Sequence, residues 1–171
     1  DPLKGNCAAC HPSGRGPNGE PPLFTDFTYD NLGVPRNDAI PANADSTYLD
    51  LGLCGPQRTD PADRRDFCGA FKVPSLRNVS RTAPYFHNGR FTTLQEVVAF
   101  YVRRDTHPEE WYSVGATGVQ KFNDLPASLH VNVNTTEAPY NRRLGDAPAL
   151  TPAEIDDVVA FLGTLDDGYQ P

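Results

Sequence analysis

The feature that most constrains this chain is a C-x-x-C-H motif at residues 7–11. Cysteines at this spacing present both sulfurs on one short turn, which is typical of attachment to the vinyl groups of a c-type haem. The histidine that follows is placed to bind the iron as its proximal ligand. A zinc site would need more thiols or histidines at short spacing, and the next cysteine is Cys54. A thioredoxin-like pair would need a βαβ pattern, which the sequence lacks. We therefore predict one haem c, held covalently by Cys7 and Cys10 and axially by His11.

The composition predicts short helices set in long ordered loops, because the 171 residues include 17 prolines and 14 glycines. Hydrophobic residues make up 38% of the chain, so a large buried ligand such as haem would supply core that the side chains lack. The net charge of −7 disfavours nucleic acid as a partner. It would attract a basic redox partner, although an acidic surface also simply favours solubility. No apolar run is long enough to span a membrane.

A capping box predicts the first helix. Thr93 followed by Glu96 is the S/T-x-x-E signature of a helix N-terminus. Apolar residues then recur at i, i+3, i+4 and i+7, and the helix is expected to end at Arg103 or Arg104, since basic residues suit a C-terminus. Phe100 lies off this stripe. The residues of the stripe are Leu94, Val97, Val98 and Tyr101.

A second capping box, Thr151 with Glu154, opens a helix with proline at its first position. This helix is expected to end at Gly168. No strand pattern has comparable strength, so the predicted fold class is mainly α, a cytochrome c-like haem domain with short helices and long ordered loops. The aromatic residues Phe24, Phe27 and Tyr29 are expected to wrap the haem edge with Leu32 rather than to form a strand.

We expect one c-type cytochrome domain over residues 1–171, with loop insertions at about 12–70 and 102–150. Small c-type cytochromes usually carry a helix before the C-x-x-C-H motif. Only six residues precede it here, so that helix is expected to be truncated: either the chain begins inside a larger protein or the fold has lost an element.

The remaining cysteines, Cys54 and Cys68, are flanked by glycine and proline and are expected to form a disulfide in an oxidising compartment. Two free thiols are the alternative. Covalent haem attachment also takes place outside the bacterial cytoplasm. Both features predict a periplasmic or otherwise extracytoplasmic protein.

The sixth iron ligand is constrained by composition, because the chain contains no methionine and His/Met ligation is excluded. A tyrosinate from Tyr101 would be a hard anionic ligand favouring ferric iron, and a cation lowers the pKa of a group that binds it. A buried tyrosine hydrogen-bonded elsewhere is the alternative. The residues alone leave open His87, His107, His130, Tyr101, a lysine and water.

Two residues are candidates for the haem surroundings. The guanidinium of Arg77 suits a propionate, because its fork of donors matches a carboxylate. A surface arginine is the alternative. His87 lies in a loop near the first helix, where it is a candidate for ligation or for a hydrogen bond to a propionate.

Four stretches, taken together, resemble the C-terminal haem domain of the bacterial dihaem cytochrome c peroxidase and MauG family. The resemblance covers the chain nearly end to end in the same order, although the tracts 12–70 and 102–150 match only loosely. The stretches are Cys7–Pro12, Phe71–Val79, Thr82–Gly89 and Thr93–Tyr101.

The resemblance implies the electron-transfer half of a peroxidase-like oxidoreductase. In this family peroxide reacts at an N-terminal haem, and the C-terminal haem receives electrons from a redox partner protein. The distal ligand is a methionine in the peroxidases and a tyrosine in the MauG branch, and its position falls on Tyr101. The implied partners are the N-terminal haem domain and the electron donor, and the chain alone is expected to be a poor peroxidase.

The family also binds calcium between its domains through backbone oxygens that here belong to Thr82 and Pro84. The other side of that site comes from the N-terminal domain, so the resemblance leaves calcium open for this chain. The alternative function is a stand-alone monohaem electron carrier without catalytic activity.

Overall fold

The computed structural model describes residues 1–58 and 63–168. Helical residues make up 27% of that part of the chain. The α-helices are α1 (Leu94–Arg103) and α2 (Pro152–Gly163). The 3-10 helices are Cys7–Ala9, Pro41–Ala44, Arg65–Phe67, Val79–Arg81, Pro108–Glu110 and Ala127–Asn132. The strands are β1 (Tyr29–Asp30), β2 (Phe71–Lys72), β3 (Val114–Gly115) and β4 (Gly118–Val119). The predicted short helices and long loops are present, but "mainly α" describes this chain only weakly.

Helix α1 begins and ends where the sequence predicts. The Thr93 hydroxyl accepts a hydrogen bond from the Glu96 backbone N–H (3.2 Å), and the Glu96 carboxylate accepts one from the Thr93 N–H (3.0 Å). These reciprocal bonds satisfy donors that have no partner within the helix. The last helical residue is Arg103.

Helix α2 has the predicted capping box, but the prediction that it ends at Gly168 is wrong. Its last residue is Gly163, and the Thr164 hydroxyl then donates to the Phe161 carbonyl (2.7 Å). The chain that follows the helix is hydrogen-bonded to Asn78, whose N–H donates to the Leu165 carbonyl at 3.0 Å. The Asn78 side chain also accepts a hydrogen bond from the Asp167 N–H at 3.0 Å.

The core consists of two apolar clusters on two sides of α1. The first lies between α1 and α2 and includes Val98, Val102 and Leu162. The second contains Phe100, which is 0% exposed although it lies off the predicted stripe. The segment after α1 buries Phe100 by supplying aromatic residues to this second cluster. Much of the 102–150 tract therefore belongs to the core.

The expectation for the aromatic residues of the 12–70 tract is partly wrong. Tyr29 lies in β1, which pairs with β2 in antiparallel register, Tyr29 opposite Lys72. Phe24 is buried against the edge of the Phe161 ring at 6.1 Å, while Phe27 is exposed. Two-residue strands are too short to show an alternating pattern, so the pairing partner alone determines them.

The predicted disulfide is confirmed. Cys54 and Cys68 are bonded, with their Cα atoms 5.0 Å apart. The bridge holds a turn that is tied to the rest of the fold, because the Gly69 N–H donates to Leu51 O (2.9 Å) and the Asn132 amide donates to Cys68 O (3.1 Å). Across residues 1–58 and 63–168, no helix has the length and apolar character needed to cross a membrane.

Candidate functional site

The C-x-x-C-H motif lies at a cavity of about 540 Å³. This is within the range of small-molecule sites, roughly 300–1,000 Å³. Its walls are largely apolar and come from both α-helices and from several loop segments between residues 5 and 150. From the helices, the lining residues include Leu94, Val97, Val98, Tyr101, Val102, Val158 and Leu162.

The side chain of His11 is held in one tautomer. Its Nδ1 lies 2.8 Å from the Phe24 carbonyl oxygen, and because a carbonyl only accepts, Nδ1 carries the proton. The Nε2 lone pair therefore remains for a metal, which is the usual arrangement of a ligating histidine. Burial lowers the pKa of His11, opposed by the Phe24 hydrogen bond and by Asp26. The imidazole is thus neutral, as ligation requires.

Cys7 and Cys10 lie one turn apart at the cavity wall, where the His11 N–H donates to Cys7 O (2.9 Å). Both thiols are free. Burial, followed by the negative charge of Asp26 and Asp30, raises the pKa of Cys10. A nucleophilic C-x-x-C pair needs the opposite shift. In the described ranges no three His, Cys, Asp or Glu side chains are grouped in a way that could hold a metal ion.

Tyr101 also lines this cavity. Its hydroxyl makes no hydrogen bond to any residue that the structure describes. Within that part of the chain there is therefore no partner for a tyrosine that is hydrogen-bonded elsewhere. Burial raises the pKa of Tyr101 well above its usual value. The phenol would therefore ionise only if a strong positive charge in the cavity, such as a metal ion, stabilised the phenolate.

His87 lines the cavity with its ring stacked on Phe71, the centroids being 3.5 Å apart at an angle of 6°. Burial lowers the pKa of His87, opposed by Asp50 and Asp124. The other two candidate histidines do not line the cavity. The Nδ1 of His107 lies 2.9 Å from the Thr106 hydroxyl, and the Nε2 of His130 lies 3.2 Å from Leu125 O.

The guanidinium of Arg77 lies over the ring of Phe24, 5.4 Å from its centroid, and its Nε donates to Pro22 O at 2.8 Å. Among the described residues that line the cavity, its neighbours Ser75 and Leu76 appear but Arg77 does not. Its role beside a propionate stays a prediction. Thr82 and Pro84 do line the cavity, and calcium binding there is likewise untested.

Sequence reasoning missed two aromatic residues beside Tyr101. The ring centroid of Phe86 lies 5.7 Å from that of Tyr101, and the centroid of Tyr140 lies 6.1 Å from it. Phe86 lies within one of the recognised stretches, where an aromatic residue gives no signal of its role. Tyr140 follows a proline in the long irregular tract, and no periodicity marks it.

These residues fit a c-type haem. The cavity supplies apolar walls, two thiols one turn apart, an imidazole with Nε2 free and a phenol without a hydrogen-bond partner. Each of these is a group that covalent attachment or axial ligation of a haem uses.

The comparisons with known proteins agree with this chemistry. The chain is 35% identical over 170 residues to the methylamine utilization protein MauG of Paracoccus denitrificans, covering 97% of this chain and 41% of MauG. It is 36% identical over 136 residues to the cytochrome-c peroxidase IdrP2 of Denitromonas iodatirespirans, covering 69% of this chain and 34% of that protein. No family model matches the chain.

Among solved structures, the fold matches the dihaem peroxidase BthA of Burkholderia thailandensis with a TM-score of 0.86 and 44% identity. The match covers 98% of this chain and 40% of BthA. The chain thus spans about two fifths of the length of MauG and of BthA and about one third of the length of IdrP2. As its motifs predicted, it is a homologue of the MauG and dihaem cytochrome c peroxidase family over nearly its whole length.

Proposed function

We propose that this chain is the electron-transferring, C-terminal haem domain of a MauG-like or cytochrome c peroxidase-like oxidoreductase. One observation carries the proposal: Cys7, Cys10, His11 and Tyr101 line a single apolar cavity. The chain covers about two fifths of the length of MauG and of BthA, which supports the proposal that it corresponds to one of two haem domains.

Each residue has a distinct role in this proposal. Cys7 and Cys10 would form the thioether links to a haem, and the Nε2 of His11 would hold its iron. The Phe24 carbonyl orients that imidazole through Nδ1, and such partners raise the basicity of the ligand. Tyr101 would hold the iron as a phenolate, and the apolar walls would exclude water. The haem, when bound, supplies one-electron redox chemistry.

The proposed partners are an N-terminal haem domain of the same kind of protein and a redox partner that delivers electrons. The proposed location is the periplasm or another extracytoplasmic space. A disulfide between Cys54 and Cys68 suits such an oxidising compartment.

The test is the ferric spectrum of Tyr101→Phe. We expect the phenolate-to-iron charge-transfer absorption to disappear and the electron paramagnetic resonance to change to that of an open or water-bound iron. Tyr85→Phe is the matched control, because Tyr85 lines the same cavity but its hydroxyl already donates to Val79 O (3.0 Å). Its spectrum should not change.

An unchanged spectrum in Tyr101→Phe would refute the assignment of Tyr101 as an iron ligand. The same measurement on His87→Leu would then decide whether His87 takes that position. The electron-transfer role is tested separately, by the length of the gene product and by a second C-x-x-C-H motif in it. A monohaem product would favour the stand-alone carrier.

A further inference from the structure

We propose that Phe86 and Tyr140 form an aromatic clamp that fixes the ring of Tyr101, and that Tyr140 is a positioning residue for the axial ligand. This inference rests on the proposed role of Tyr101 as that ligand. It assigns a function to a residue of the irregular tract between the two α-helices.

The clamp is visible in the ring geometry. The Phe86 ring lies 5.7 Å from that of Tyr101 at an interplanar angle of 32°, and the Tyr140 ring lies 6.1 Å from it at 33°. Both distances are within the 4.5–7 Å range of favourable aromatic pairs, about 0.5–1.5 kcal/mol each. Phe86 and Tyr140 make no ring contact with each other in the described part of the chain, so they pack on different parts of the Tyr101 ring.

Both walls of the clamp are themselves anchored. Phe86 packs edge-on against Phe91 and Phe100, with both centroid distances 5.5 Å. Tyr140 is 6% exposed, and the Arg104 guanidinium lies 4.3 Å from its ring centroid.

Arg104 is a rigid support for Tyr140. Its side chain is 0% exposed. Its guanidinium donates to Leu32 O (2.9 Å), Asn134 O (2.6 Å) and the Asp105 carboxylate (2.8 Å). A buried arginine with this many hydrogen bonds has little freedom to move, and the ring that packs on it is held in turn.

Tyr101 also packs against the apolar cluster between α1 and α2, but within the described chain Phe86 and Tyr140 are its only ring contacts. Helix α1 fixes the Cα–Cβ direction, but the second side-chain torsion of tyrosine is broad. The hydroxyl has no hydrogen-bond partner in the described chain. Packing against Phe86 and Tyr140 therefore helps to fix where the phenol oxygen points. Holding a ligand in its productive geometry before it binds is the general role of supporting side chains around a functional site.

The experiment uses the haem-loaded protein and two substitutions at one position. In Tyr140→Leu the ring is lost, and we expect weaker phenolate-to-iron charge-transfer absorption and a second ferric signal in the electron paramagnetic resonance. In Tyr140→Phe the ring remains, and we expect the single wild-type signal. Tyr112→Leu is the control, because Tyr112 is a tyrosine 3% exposed that does not line the cavity. It should lower the unfolding temperature and leave the spectrum unchanged.

Three results would overturn the clamp. The first is a Tyr140→Leu protein with the single wild-type signal, in a protein whose spectrum does respond to Tyr101→Phe. The second is a Tyr140→Phe protein that changes as much as Tyr140→Leu, which would assign the effect to the hydroxyl. The third is a Tyr112→Leu spectrum that changes equally. A spectrum insensitive to Tyr101→Phe would instead refute the axial role itself. If Tyr140→Leu does not fold, Phe86→Leu tests the other wall with the same readouts.

Discussion

At the scale of single residues, the imidazole of His11 is oriented by the Phe24 carbonyl oxygen, which lies 2.8 Å from its Nδ1. His11 follows from local spacing alone, because the motif is contiguous. The group that orients it, the Phe24 carbonyl, lies in a loop where no pattern marks it. Phe24 has a φ of +53°, a conformation that side chains with a Cβ adopt at a cost. Only the folded loop shows that this carbonyl is aimed at the imidazole.

Tyr101 shows the opposite case. Its place on the apolar stripe of α1 was predictable, but its role was open until it was compared with a family. The structure adds that Tyr101 lines the cavity and that its hydroxyl has no hydrogen-bond partner in the described chain. Burial raises the pKa of Tyr101, so a positive charge in the cavity would be needed to stabilise its ionised form.

A reactivity prediction follows at this scale. If Tyr101 and His11 fill both axial positions, the haem-loaded chain should consume hydrogen peroxide slowly. Tyr101→Phe should react faster, because one coordination position is then open. Stopped-flow absorption of the Soret band under excess peroxide measures both rates, with Tyr85→Phe as the control. Equal rates in wild type and Tyr101→Phe, or rapid turnover by the wild type, would contradict the proposed ligation.

At the scale of elements, predictions succeeded where the determining interactions are local. The capping box of α1 lies within four residues, and the helix begins where it predicts. The end of α2 depends on Asn78, which is distant in sequence, and was predicted wrongly. The burial of Phe100 also escaped prediction, because the aromatic residues that cover it come from another segment.

Helix α1 carries Tyr101, so its N-terminal cap supports the site, and its stability should depend on pH through Glu96. Burial opposes ionisation of Glu96, but hydrogen bonds from Thr93 and Thr92 outweigh it and lower the pKa. The folded state then holds its proton less tightly than the unfolded chain. The stabilisation is present above the usual value of 4.5 and is lost as pH falls through the lower folded value.

We therefore expect Glu96→Gln to lower the free energy of unfolding by up to about 1 kcal/mol at pH 7. The difference from wild type should vanish at acid pH, because both side chains are then neutral. Urea denaturation between pH 2.5 and 7 measures this. Glu109→Gln is the control, since Glu109 is exposed and makes no hydrogen bond within the described chain. A Glu96→Gln deficit that is constant with pH would contradict a role for the carboxylate charge.

At the scale of the whole molecule, the disulfide should contribute substantially to stability. Cys54 and Cys68 are 14 residues apart, and closing a loop of this size is worth about 2–4 kcal/mol. Replacing both by alanine should lower the free energy of unfolding by that amount. Equilibrium denaturation measures it, and a reductant should bring the wild type to the level of the variant while leaving the variant unchanged. Equal stability in oxidised and reduced wild type would refute this.

The cavity itself is a property of the whole chain, since its walls come from segments at both ends and in the middle. Sequence reasoning predicted the attachment motif and the axial candidates, which lie on recognisable patterns. It did not predict the aromatic walls, because packing between distant loops has no local signature. Composition predicted that a large buried ligand would supply part of the core, and the structure contains an apolar cavity of about 540 Å³.

This leads to a prediction about the protein without haem. An apolar cavity that no ligand fills leaves its lining side chains without packing partners, and this lowers the stability of the folded state. We expect Cys7→Ala/Cys10→Ala, which removes the covalent links, to give a protein with a much lower unfolding temperature and a broader transition.

Circular dichroism during thermal unfolding measures the effect of removing the links. The disulfide variant Cys54→Ala/Cys68→Ala, which keeps the motif, is the matched control for loss of two cysteines and should keep a sharp transition. Adding free haem to the Cys7→Ala/Cys10→Ala protein should restore part of the loss, because a ligand that binds only the folded state stabilises it. If the unlinked protein unfolded as sharply and at the same temperature as the wild type, the cavity would not be part of a core completed by haem.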